Sequence, residues 1–102
     1  MIVYLGKSNK AGKRYMVLVN GKPIHFGSTM SNYTMHKDRE RKKRYLDRHR
    51  MRENWGKSGI SSSGFWSRWL LWNKPTLSGS IQDLFKRFGV KVKSTPYSSS
   101  KR

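Results

Sequence analysis

The stretch "RYMVLVNGKPIHF", residues 14–26, decides how the N-terminal part of the chain folds. Two apolar runs flank Asn20-Gly21, and such a two-residue link is a strong hairpin signal because both turn positions need positive φ. Pro23 has no N–H to give to a ladder, so the second run belongs at a sheet edge or a bulge. Upstream, "IVYL" at 2–5 is short and apolar, and the loop "GKSNKAGK" at 6–13 joins it to the hairpin. Residues 1–27 therefore read as a three-stranded antiparallel meander.

Working outward, residues 27–36 ("GSTMSNYTMH") read as a polar connector, and residues 37–54 ("KDRERKKRYLDRHRMREN") predict a helix. Good helix formers dominate this segment, Asp38 and Glu40 stand in its first turns, and Gly56 offers a stop. Asp38 with Lys42 and Glu40 with Arg44 are i,i+4 pairs in the better orientation, each worth about 0.2–0.5 kcal/mol. Its apolar residues are only Tyr45, Leu46 and Met51, so this helix is either laced by ion pairs or held by a partner. The loop "WGKSGISSSG" leads to a second helix, with Ser63 as N-cap, Asn73 as its end and Pro75 beyond it. The last helix starts in "TLSGS" and runs to Phe88. Ser80 and Asp83 have capping-box spacing, and Thr76 offers an earlier cap. Ile81, Leu84, Phe85 and Phe88 recur at i, i+3, i+4 and i+7, an amphipathic pattern. Gly89 stops this helix and "VKV" offers a short strand. The expected fold is α+β: one small domain over 1–93, with the meander at 1–27, a helical part of about three helices at 37–88, and a polar basic tail at 94–102.

The segment "SGFWSRWLLWNKP" (63–75) gathers three of the 4 tryptophans. On a helix Phe65, Trp69 and Trp72 share one face, and Trp66 and Leu70 the adjacent one. An interfacial membrane helix would need a broad polar face, and base-stacking platforms set their aromatics along strands or loops. Burying one Trp removes roughly 200 Å² from water, about 5 kcal/mol at ~25 cal/mol per Å². Three left exposed would forfeit a sum comparable to the stability of a whole domain. Phe65, Trp66, Trp69 and Trp72 are thus expected in the core, with a docking surface for another protein as the alternative.

The 102 residues carry 23 Lys and Arg against 5 Asp and Glu, a net charge of +18, which favours a polyanion or an acidic protein surface as partner. Nine of those cations and four of the acids fall within 37–54, where Arg39, Arg41, Lys42, Lys43, Arg44, Arg48, Arg50 and Arg52 are the candidate polyanion- or partner-binding residues. The rest is spread through Lys7, Lys10, Lys13, Arg14, Lys22 and the C-terminal third. Such a spread fits a protein packed amid polyanion or acidic neighbours better than one reading a single groove. "RKKR" at 41–44 also matches a nuclear-import pattern, a common match in basic chains.

Catalytic signals are weak. Five residues separate Gly6 from Gly12 where a phosphate-binding loop has four, and Arg14 stands where Ser or Thr should follow the lysine. His25, His36 and His49 have no ligand spacing, and Cys is absent, which excludes disulfides and nearly excludes the usual zinc sites. The sequon Asn32-Tyr33-Thr34 matters only on a secretory route. "MIVYLGKSNK" lacks a signal-peptide core, and no apolar run approaches the ~20 residues of a membrane span. The expectation is a non-enzymatic protein of the cell interior or of a particle, with no catalytic residue, metal, cofactor, small-molecule substrate or membrane span.

Three blocks, "VNGKPIHFG" (19–27), "YTMHKDRERKKRYLDRHRMRENW" (33–55) and "SGFWSRWLLWNKPTLSGSIQDLFKRF" (63–88), cover over half of the chain and carry a resemblance. They are similar to a family of small uncharacterised basic proteins of nucleocytoplasmic large DNA viruses, chlorella viruses and mimiviruses among them. The resemblance supplies no catalytic residues. It implies a viral context and leaves the biochemical function open; the expected location is the virion, with host cytoplasm or nucleus during assembly. Within that setting the first expectation is a minor capsid or cement protein bridging other virion proteins with acidic surfaces. The second is a sequence-nonspecific DNA-binding protein that neutralises or packages the genome.

Overall fold

A computed structural model of the protein describes residues 1–28 and 32–94. Strands β1 (Ile2–Lys7), β2 (Lys13–Val19) and β3 (Lys22–Ser28) form the antiparallel meander. Asn20 and Gly21 turn the hairpin with φ of 51° and 81°, the left-handed pair that the Asn-Gly link supplies. The sheet order is β3-β2-β1-β4, so Pro23 lies on an edge strand as its missing N–H requires. Strand β4 (Lys91–Ser94) pairs parallel with β1, Val3 opposite Val92, and adds a fourth strand to the meander. Ser94 thus belongs to the sheet, and the rest of the expected tail lies outside the described residues.

The register sets one face of this sheet. Leu5 stands opposite Val17, Val17 opposite Ile24, and Tyr15 opposite Phe26, so their side chains share a side. That side receives α3 (Ser63–Trp66), its continuation Ser67–Leu71, and α4 (Leu77–Phe88), closing a core around Val3, Val17, Phe26, Phe65, Trp66, Leu70, Leu71, Leu84 and Val90. The cap of α3 is Ser62, one residue before the expected Ser63, with its hydroxyl accepting from the Phe65 N–H at 3.3 Å. Past Trp66 the helix widens into a π turn, and the Trp72 N–H reaches back five residues to the Ser67 carbonyl at 3.1 Å. The extra residue breaks the face drawn through Phe65, Trp69 and Trp72. Phe65, Trp66 and Trp69 are buried, whereas Trp72 is half-buried at the core's edge.

Each buried indole has a partner for its N–H, as burial demands. Trp66 donates to the Ile60 carbonyl at 2.7 Å and Trp69 to the Trp55 carbonyl at 2.8 Å, so the 55–62 loop wraps the tryptophans. The loop closes at Gly59, where a Cβ would overlap the Asn54 carbonyl oxygen. Helix α4 is capped by Thr76, whose hydroxyl accepts from the Gly79 N–H, and ends at Gly89 in the left-handed region. Ser80 is no cap: it is buried and accepts from the Lys74 N–H at 3.0 Å. Leu84 is the buried centre of the helix and Phe85 is 53% exposed, so the apolar stripe runs Leu77, Ile81, Leu84, Phe88 and leaves Phe85 at the rim.

The connector and basic segment differ most from expectation. A short helix α1 (Tyr33–His36), capped by Asn32, occupies the end of the connector. Lys37 then turns left-handed at φ 55° and sends its ammonium to the Thr34 and Pro75 carbonyls, which ends α1. Helix α2 is therefore Arg39–His49 instead of 37–54. Asp38 is its N-cap, accepting from the Glu40 and Arg41 N–H groups, so it is not available to pair with Lys42. Among the described residues Asp38–Lys42 and Glu40–Arg44 form no ion pair; the pair on α2 is Lys43–Asp47. Gly56 does not stop α2 but starts a short 3-10 turn, Lys57–Gly59.

Candidate functional site

Helix α2 sits on the fold through one buried side chain. Tyr45 stacks on Trp72 with ring centroids 4.3 Å apart and planes 2° from parallel, and on His49 at 4.3 Å. His36 is tilted against Trp72, with ring centroids 5.4 Å apart. Burial, reinforced by Glu53, pushes the Tyr45 phenol far above its usual pKa, so it stays neutral.

On either side of Tyr45 the 3.6-residue period sorts the cations. Arg41, Arg44 and Arg48, at i, i+3 and i+7, line a cleft of about 550 Å³, whose far wall holds Lys13 and Asn32. None of these three arginines forms an ion pair among the described residues. The acid in this cleft, Glu53, is already engaged by His49 Nδ1 at 3.0 Å and the Trp55 indole N–H at 2.8 Å. Arg39, Lys42 and Lys43 line a second cleft of about 540 Å³ with Lys74. Here more of the charge is used internally. Lys42 donates to the Asn73 carbonyl at 2.7 Å and lies 5.0 Å from the Tyr33 ring centroid. Burial, with Arg68, Lys74 and Arg39 nearby, lowers its pKa. Lys43 holds Asp47 at 3.4 Å on an exposed face, a contact of little energetic weight.

The eight candidate cations thus fall into three groups. Arg41, Arg44 and Arg48 share the first cleft, Arg39, Lys42 and Lys43 share the second, and Arg50 and Arg52 are exposed beyond the end of α2 and line neither. Of the candidate aromatics, Trp72 alone lines the first cleft; Phe65, Trp66 and Trp69 are core. Two cleft residues were missed by sequence reasoning. Asn32 was read only as part of a sequon, although Asn-x-Thr before a short helical run is also an N-cap signal, and its Oδ1 accepts from the Thr34 N–H at 3.0 Å. His36 carried no ligand spacing to mark it.

His49 and Glu53 are a histidine and a carboxylate in contact, which raises the question of catalysis. They sit four residues apart at the end of α2, and among the described residues no Ser or Thr hydroxyl hydrogen-bonds to His49. The contact joins α2 to the Trp55 indole and offers no nucleophile. Among the described residues no three His, Asp or Glu side chains cluster to hold a metal, and no helix is long and apolar enough to cross a membrane.

Residues 3–49 match the model of a family of unknown function (DUF5754). The match spans β1 through α2, which is the meander together with the arginine row, and stops before the tryptophan segment. No curated protein and no solved structure matches the chain.

Proposed function

We propose that the protein is a non-enzymatic polyanion-binding protein that holds nucleic-acid backbone, without sequence preference, through the arginine-lined face of α2. One observation carries this reading: Arg41, Arg44 and Arg48 point to one cleft and have no acidic partner among the described residues. A guanidinium is always charged and presents a planar fork of N–H donors that matches phosphate oxygens in pairs. Phosphate contacts of this kind position a protein on a strand and carry no sequence information.

A second reading is favoured by a separate observation. Cationic clefts lie on two sides of one helix, so one molecule can hold two anionic neighbours, as a bridging structural protein of a virus particle would. The viral setting of that reading is supported by the resemblance of the three sequence blocks.

The two readings separate on salt dependence. Any cation this strong binds DNA at low salt, so detection alone decides nothing. For Arg41→Ala, Arg44→Ala and Arg48→Ala combined, the slope of log affinity against log salt should fall by about 3, one per lost phosphate contact. An unchanged slope would assign the row to acidic protein neighbours instead.

A further inference from the structure

Two residues that line the first cleft, Asn32 and His36, each carry a buried side-chain nitrogen with no hydrogen-bond partner among the described residues. Asn32 is 3% exposed, and its Oδ1 accepts from the Thr34 N–H at 3.0 Å and the Thr34 hydroxyl at 2.5 Å. A backbone N–H can bond only to an acceptor, so those contacts identify the oxygen and leave the other atom as the amide nitrogen. That Nδ2 has no partner among the described residues. In His36, the Asp38 backbone N–H donates to Nδ1 at 2.9 Å, which makes Nδ1 the unprotonated nitrogen. The ring proton therefore sits on Nε2, and Nε2 is also buried without a partner among the described residues. Burial, with the Arg41 charge beside it, lowers the His36 pKa and keeps the ring in this neutral form.

Both orphaned groups are thus donors, on residues that line the same cleft as Arg41, Arg44 and Arg48. Buried donors are normally satisfied, and an open pair beside arginines that have no acidic partner among the described residues suits a ligand that is negative and rich in acceptors. A cation would be repelled by Arg41, Arg44 and Arg48, and the acid of the cleft, Glu53, is engaged by His49 and Trp55. A phosphate group supplies the charge and enough oxygens for the amide, the imidazole and a guanidinium at once.

We propose that the Asn32–His36 end of the cleft is a phosphate seat, in which Asn32 Nδ2 and His36 Nε2 donate to phosphate oxygens and Arg41 supplies the balancing charge. This rests on the polyanion reading and deepens it: the group recognised is a single phosphate, held by neutral donors as well as by charge. Two sources share that chemistry, a backbone phosphodiester and a free phosphorylated compound.

The test uses the full chain with Asn32→Ser and Asn32→Asp. Both replacements keep an oxygen able to cap the Thr34 N–H, and Ser removes the second donor without adding charge. Titrations with a generic DNA duplex and with inorganic pyrophosphate are followed by affinity and by the Asn32 side-chain amide resonances of the unsubstituted protein. Asn32→Ser should lose about tenfold or more in affinity, the worth of a hydrogen bond to a charged group, and Asn32→Asp more. The amide protons should shift downfield on binding. A response to the duplex identifies a backbone phosphate and a response to pyrophosphate alone a free phosphate compound; either upholds the seat. Affinity within about twofold of the unsubstituted protein, with the amide resonances unmoved, would overturn it. If the triple arginine variant then still weakens DNA binding, the polyanion reading stands without the seat; if it does not, both fall. Should either variant fail to fold, the amide resonances of the unsubstituted protein decide the question alone.

Discussion

In the tryptophan segment Arg68 lies 4.1 Å from the Trp69 ring centroid and 5.3 Å from that of Trp55, and donates to the Trp72 carbonyl at 3.1 Å. Arg87 covers Trp69 at 4.7 Å and holds Asp83 at 3.0 Å. On α2, Arg41, Arg44 and Arg48 also stand beside an aromatic column, yet they are exposed and have no acidic partner among the described residues. The same residue type is absorbed in one region and left open in the other. What differs is the support beneath it: a buried aromatic core with satisfied indoles below Arg68, and a single buried tyrosine below α2. Net charge does not distinguish cations used within the fold from cations left at its surface; the two regions separate Arg68 and Arg87 from Arg41, Arg44 and Arg48 in that respect.

The sharpest break of this comparison is Trp69→Ala. Loss of a buried tryptophan that is also the platform for two guanidinium groups should cost about 3–5 kcal/mol in urea unfolding, enough to unfold a domain of this size. A variant that keeps its stability and loses only partner binding would make the segment a docking surface.

A smaller effect is expected at Asp83. The Asn73 amide at 2.8 Å and the Arg87 guanidinium hold its carboxyl below the ordinary carboxylate range. A depressed folded pKa means stability that is present above the unfolded value near ~3.9 and lost as pH falls through the lower folded value. Asp83→Asn should cost about 1–2 kcal/mol at neutral pH and should flatten the acid limb of the stability curve below about pH 4. An acid limb identical to that of the unsubstituted protein would show that the tryptophan region does not depend on this ion pair.

Much of the fold was legible in the sequence because its signals are local. Asn20-Gly21 dictates a turn, Pro23 an edge strand, and Gly89 a helix end, whatever the rest of the chain does. The parallel pairing of β4 with β1 was not legible, since nothing in "VKV" records which strand it will meet. The ends of α2 were missed because helix propensity continues past both. Lys37 leaves the helix to bond two carbonyls, one of them 38 residues away, and Asp38 caps instead of forming the expected pair. Of the site, composition marked the basic helix but could not divide its cations. That division depends on Tyr45 finding Trp72, a contact across 27 residues. Asn32 and His36 become notable only when the partners they lack are known.

The most direct test of the account compares the salt slope of DNA binding for two single variants, Arg44→Ala and Arg68→Ala, under conditions where tryptophan emission shows both to be folded. The account predicts that Arg44→Ala lowers the slope by about 1 with stability little changed, and that Arg68→Ala leaves the slope as it is while lowering stability. Equal falls in slope for the two, or no fall for Arg44→Ala, would contradict the claim that the α2 row is open to a polyanion while Arg68 is absorbed by the tryptophan segment.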